Sequence, residues 1–277
     1  MPSIEELLNS AALPDSPTAR LDAELLLAAA LGKPRSYLHT WPERQPEPVQ
    51  LQTFNGWLAR RQQGEPVAYI LGRQGFWSLD LEVAAHTLIP RADTEVLVEV
   101  ALQLLSPASA LQVLDLGSGS GAIALALAVE RPLWQVLGVD RVEEAVALAE
   151  RNRQRLLLDN ARFVPGHWFQ PLAGQRFALI VSNPPYIAAG DEHLQLGDVR
   201  FEPDSALVAG VDGLDDIRLI VQQAPDYLQR AGWLVLEHGF EQAEAVRELL
   251  AARGFSGVES RLDLGGHQRI SLGQWPA

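Results

Sequence analysis

Asn183-Pro184-Pro185-Tyr186 sets a polar amide and an aromatic ring on either side of two prolines. The preceding run, Phe177 to Ser182, is short and apolar and reads as a buried strand. Consecutive prolines cannot continue a hydrogen-bonded ladder, so the strand must end at this corner. The amide and the ring then stand on a stiff turn at a strand's carboxyl end, where ligands bind in open α/β sheets. Such a corner suits a planar NH2 group. Carbonyl oxygens accept its hydrogens while an aromatic ring covers its face. Asparagine before proline also serves as a plain turn-former.

A second signal lies upstream. Val113-Leu114-Asp115-Leu116 leads into Gly117-Ser118-Gly119-Ser120-Gly121, and Asp140 closes the next predicted strand. Glycines allow a sharp turn and a close backbone approach to a ligand. The following helix presents its N-terminus to the same space, and an acidic residue about twenty positions on can accept bonds from ribose hydroxyls. Gly117, Gly119 and Ala122 also satisfy the degenerate dinucleotide fingerprint, so a nicotinamide dehydrogenase competes at this point. The tight glycine spacing and the Asn-Pro-Pro-Tyr corner, which has no role in hydride transfer, favour S-adenosylmethionine. Trp168 could stack on adenine or fill the core.

The elements that must carry these residues alternate. Strands are predicted at 111–116, 135–139, 161–164 and 177–182, with helices at 122–129 and 143–157, which argues for a parallel sheet covered on both faces. Later strands are expected at 233–237, 257–262 and 269–272, the last two as an antiparallel hairpin at one edge. Residues 72–83 read as a β-hairpin, and Asp93 or Thr94 as the cap of a helix running to about Leu105. The first seventy residues read as helical, with apolar stripes at Ile4, Leu7 and Leu8 and at Leu21, Leu25 and Leu26, and a helix from Glu47 to Gln62. The expected organisation is a helical domain over 1–71, a hairpin linker over 72–90 and an α/β domain over 91–277.

Composition narrows the chemistry. The chain of 277 residues has 35 acidic and 22 basic side chains, a formal charge of −13, which disfavours broad binding to nucleic acid. It has no cysteine, so thiolate catalysis and disulfides are excluded. The six histidines are scattered, and no metal is expected. No signal pattern or membrane-length apolar run occurs, which makes a cytoplasmic protein the expectation.

Taken in order, these pieces resemble the class I S-adenosylmethionine-dependent methyltransferases, and the corner resembles those that methylate planar nitrogens. The wider chain is similar to the bacterial peptide chain release factor glutamine methyltransferases, the PrmC family. The likeness includes Arg20 to Leu27, Glu65 to Gly72, Phe76-Trp77, Leu88-Ile89-Pro90-Arg91, Asp115 to Gly121, Ser182 to Ile187 and Arg200-Phe201-Glu202-Pro203. It implies a Rossmann-like, mostly parallel seven-stranded sheet with an antiparallel C-terminal edge, beside a small helical substrate-recognition domain.

The resemblance also implies methylation of the glutamine in the Gly-Gly-Gln motif of class 1 release factors, and a monomer without membrane or direct nucleic-acid partners is expected. Gly117, Ser118, Gly119, Ser120 and Gly121 would hold the methionine end and ribose of the cofactor, Asp140 the ribose hydroxyls and Trp168 the adenine. Asn183 would touch cofactor and substrate. Asn183, Pro184, Pro185 and Tyr186 would form the amide site, with Asn183, Pro184 and Tyr186 carrying the catalysis. Two departures stand out: Ala92 where many relatives have proline, and His167 where many have an acid. Glu202 is expected either to shape a loop near the cleft or to contact substrate, and His238 to be structural. The rival readings are methylation of a ribosomal-protein glutamine, methylation of an adenine amino group, and a binding module that carries the cofactor without transfer.

Overall fold

The computed structural model describes all 277 residues, which fall into two compact units: residues 1–73 with 192–201, and residues 74–191 with 202–277. The first unit is helical, with α1 (Ile4–Ser10), α2 (Ala19–Leu31), α3 (Arg35–Thr40), α4 (Pro48–Gln62) and α5 (Val67–Leu71). Local chemistry sets these bounds. Ser3 and Glu6 form a reciprocal capping box at the start of α1, and Pro48 opens α4, where its missing N–H costs nothing. Ile4, Leu7, Leu26, Leu27, Leu38 and Phe54 fill the core of this unit. Arg61 is buried there, its guanidinium 2.7 Å from both Asp22 and Asp198.

A two-stranded hairpin of β1 (Arg73–Phe76) and β2 (Leu79–Glu82) follows, all of it but Arg73 within the second unit. Its main sheet has seven strands in the order β5-β4-β3-β6-β7-β9-β8. The parallel strands are β3 (Gln112–Leu116), β4 (Gln135–Asp140), β5 (Ala161–Pro165), β6 (Phe177–Ser182) and β7 (Leu228–Glu237). The C-terminal hairpin of β8 (Ser256–Leu262) and β9 (Gln268–Gln274) adds the antiparallel edge, with β9 against β7. The helices are α6 (Glu95–Leu104), α7 (Ala122–Glu130), α8 (Glu143–Arg155), α9 (Asp215–Gln223) and α10 (Ala243–Arg253).

Successive strand residues feed opposite cores, as the period of two requires. Val113, Leu179, Val181 and Val235 pack in one cluster, and Leu114, Leu116, Ile180, Leu234 and Leu236 in the other. With both faces covered, β6 is buried at every position, which explains its unbroken apolar run. The α/β class and the antiparallel edge agree with the sequence reading. Strand β7 differs by starting at Leu228, ahead of the predicted Trp233, with a register irregularity opposite Phe177 and Leu179. Strand order reverses between β3 and β6, so the crevice of a doubly wound sheet opens at the carboxyl ends of those two strands.

Candidate active site

Both chemical signals arrive at that crevice. The loop after β3 and the corner after β6 line one cleft of about 890 Å³, counted out to its open mouth. Ser182 pins the two strand ends together, its Oγ donating to the Leu116 carbonyl at 2.7 Å.

The glycine loop is tied down by its own backbone. Gly117 and Ser118 N–H groups both donate to the Val139 carbonyl. Asp140 accepts from Gly119 N–H at 2.8 Å through one carboxylate oxygen and from Val142 N–H at 2.9 Å through the other. A carboxylate has about four acceptor sites, so capacity remains for a ligand's hydroxyls. Ser118 Oγ is buried, lines the cleft and has no hydrogen-bond partner. His86 Nε2, on the same cleft, is in the same condition. Two orphaned polar atoms facing one space fit a polar ligand.

Gly121 differs from its neighbours. It caps α7 in the left-handed region at φ 85°, and a Cβ there would stand 2.9 Å from the Phe163 ring and 3.1 Å from Leu125. It faces the core and does not line the cleft.

Trp168 lies where core and cleft meet. It is only 7% exposed and belongs to an apolar cluster, yet it also lines the cleft beside Gly117. Its φ of 49° is unusual for a bulky residue and marks a held conformation. The indole N–H donates to Asp216 Oδ1 at 3.2 Å. Burial pushes the Asp216 carboxyl pKa up, and that hydrogen bond partly opposes it. His167 lines the cleft next to Trp168. An acid does reach this neighbourhood, but from the first turn of α9.

At the corner, Asn183 and Pro185 line the cleft, whereas Pro184 and Tyr186 do not. Asn183 Nδ2 donates to Thr94 Oγ1 at 3.2 Å. Thr94 occupies the N-cap position of α6, as the sequence suggests, but its side chain makes no cap bond, and its hydroxyl is turned to Asn183 instead. Tyr186 packs on an apolar cluster and directs its hydroxyl to Glu237 Oε1 at 3.4 Å. Its carbonyl accepts from Gln242 Nε2 at 3.0 Å, which fixes the exit from the corner. Burial, reinforced by the Glu237 charge, raises the phenol's pKa.

Four functional candidates escaped the sequence reading: Thr94, Glu237, Asp216 and Arg91. Glu237 ends β7 and is 2% exposed, with burial pushing its pKa up to about 7. A signal did exist, since an acid closing the apolar run Trp233 to Leu236 is rarely buried without a task. Arg91 lines the cleft and is ion-paired with the buried Glu202, which is how Glu202 shapes this wall. His238 is held by Ser271 Oγ at 2.7 Å and by the Gly239 carbonyl. No helix is long and apolar enough to cross a membrane.

Comparison with known proteins agrees with this geometry. The profile of the PrmC N-terminal domain matches residues 6–72, and that of the methyltransferase small domain matches residues 92–204. The release factor glutamine methyltransferase of Pseudomonas aeruginosa is 68% identical over 275 residues, 99% of each chain. That of Vibrio cholerae is 54% identical over 262 residues, 94% of this chain and 91% of the other. A solved methyltransferase from Pyrococcus furiosus shares the fold, with a TM-score of 0.56 and 18% identity over 80% of this chain and 100% of that one. With a glycine loop and Asn183 and Pro185 of the corner on one cleft, and end-to-end likeness at this level, the chain belongs to the release factor glutamine methyltransferase family.

Proposed function

We propose that this enzyme methylates the side-chain amide nitrogen of the glutamine in the Gly-Gly-Gln motif of class 1 release factors, in the cytoplasm, with S-adenosylmethionine as donor and S-adenosylhomocysteine as product. One observation carries the reading. Asn183 stands on the wall of the cleft with its Nδ2 committed to Thr94, which leaves Oδ1 as the acceptor for an incoming amide.

The orphaned Ser118 Oγ and the remaining acceptor capacity of Asp140 suit a ligand with amino-acid and ribose groups. Gly117, Ser118, Gly119, Ser120 and Asp140 would hold those parts, and Trp168 would lie by the adenine. Gly121 would serve only through its packing under the loop. When bound, S-adenosylmethionine supplies a methyl group already activated on a sulfonium.

The remaining difficulty is the nucleophile, because an amide nitrogen shares its lone pair with its carbonyl. Asn183 Oδ1 and the Pro184 carbonyl would accept the two N–H hydrogens and aim the nitrogen. Those bonds strengthen as positive charge develops on nitrogen, the condition for a gain in rate rather than in binding alone. Tyr186, clamped by Glu237 and Gln242, would support the corner and help to exclude water. A proton then leaves the nitrogen after transfer, so no base is required beforehand. The helical unit would recognise the body of the release factor.

Mass spectrometry of a purified release factor after incubation with enzyme and S-adenosylmethionine should locate one added methyl on that glutamine. Asn183→Ala should lower kcat by about 10²–10³-fold while cofactor binding changes little. Near-normal turnover by Asn183→Ala, or methyl groups appearing on nucleic acid and not on the release factor, would sink the assignment.

A further inference from the structure

Three acids cluster at the start of α9, and they face different ways. Asp212 and Asp215 are exposed, and both pair with Arg218. Acids there also complement the positive end of the helix dipole. Asp216 is instead turned inward and half-buried, and its Oδ1 accepts the Trp168 indole N–H at 3.2 Å. The benzo end of the same ring leans on the glycine loop, since a Cβ added to Gly117 would stand 3.3 Å from Trp168 Cζ3. The indole is therefore held at both ends, by α9 at its N–H and by the loop after β3 at its carbon edge.

The backbone of Trp168 does not supply that fixity by itself. At φ 49° it occupies a region that bulky residues avoid and that persists only where the surroundings over-determine it. The turn that carries it is closed by the Gln170 N–H donating to the His167 carbonyl at 3.1 Å. With the side chain buried, an indole N–H deprived of its acceptor would be stranded away from water.

We propose that Asp216 is a positioning residue for the cofactor: by accepting the indole N–H it sets the plane of Trp168, the wall against which the adenine of S-adenosylmethionine lies. This rests on the reading of Trp168 as the adenine contact. Trp168 lines the cleft and Asp216 does not, so the acid acts through the ring. A flat base gains from an aromatic neighbour only when the two rings meet in a favoured geometry, and a turned indole forfeits that gain. A role confined to the start of α9 would not need the inward turn, because Asp215 already serves that end.

The test uses the full-length enzyme and reads ligand binding by calorimetry, without turnover. Asp216→Ala removes the acceptor and should weaken S-adenosylhomocysteine about 5–10-fold. Asp216→Asn keeps an acceptor oxygen and should stay within about twofold of wild type. 5′-Methylthioadenosine, which has the base and ribose but lacks the amino-acid end, should show the same losses. Trp168→Leu removes both ring and N–H, and in that background Asp216→Ala should cost no further affinity. The Trp168 indole N–H resonance, identified by its absence in Trp168→Leu, should move upfield in Asp216→Ala and keep its place in Asp216→Asn. Wild-type affinity in Asp216→Ala, or an equal loss in the Trp168→Leu background, would overturn the positioning role while leaving the adenine contact intact. Wild-type affinity in Trp168→Leu would remove the adenine contact itself, and the proposal with it.

Discussion

Glu237 and Asp115 are buried carboxyls on β7 and β3, the strands either side of β6, and burial pushes both up to about 7. For Asp115 the Ala124 N–H opposes the rise and the charge of Asp140 adds to it. A group whose folded pKa lies above its unfolded value binds its proton more tightly in the native state. Its stabilisation is complete below the unfolded value, near 4, and is lost as pH rises toward 7. For Glu237 the shift from 4.5 to about 7 corresponds to at most ~3 kcal/mol. Urea titrations should therefore show wild type losing about 2 kcal/mol relative to Glu237→Gln between pH 5 and pH 8. A constant difference across that range would mean that Glu237 titrates normally.

At the scale of elements, the loop from Gly117 to Gly121 separates two jobs that look alike in sequence. Gly121 has a positive φ and core atoms 2.9 Å from where a Cβ would go, whereas Gly119 also has a positive φ but open space beside it. Gly121→Ala should cost about 2–4 kcal/mol of unfolding free energy by strain and overpacking. Gly119→Ala should cost about 1–2 kcal/mol and act mainly on S-adenosylhomocysteine affinity. Equal destabilisation of both variants in denaturant titrations would contradict this division. Sequence could not make the distinction, because Phe163 meets Gly121 from β5. The same reason explains what else was legible. The loop and the corner are contiguous, so spacing and residue type expose them. The Thr94 contact with Asn183 spans 89 positions, so only folding brings them together. Thr94 read locally as a cap because a hydroxyl ahead of an apolar helix usually is one. Strand β7 was read short because Gln229 and Arg230 are polar and exposed, and the apolar signal starts only at Trp233.

At the scale of the molecule, the helical unit contains a stretch of chain, 192–201, that is distant in sequence from its helices. Arg61 is the tie within that unit. Its guanidinium meets Asp22 on α2 and Asp198 on the distant stretch, and it also donates to the Gly64 and Glu65 carbonyls. Removing it leaves Asp22 supported by the Ser16 and Thr18 hydroxyls, but Asp198 loses its 2.7 Å partner. Arg61→Met keeps the aliphatic bulk and should weaken the helical unit by about 3 kcal/mol, the usual cost of breaking a buried pair. The sheet, the cleft and the corner belong to the other unit and contain none of these residues. If the helical unit recognises the release factor, Arg61→Met should raise KM for that protein severalfold. Affinity for S-adenosylhomocysteine should not move, and methylation of a short peptide carrying Gly-Gly-Gln should be unaffected. Limited proteolysis should show faster cleavage within 192–201, which verifies that the tie was loosened. Faster cleavage with unchanged kcat/KM for the full release factor would remove the recognition role from the helical unit and leave substrate choice to the catalytic unit alone.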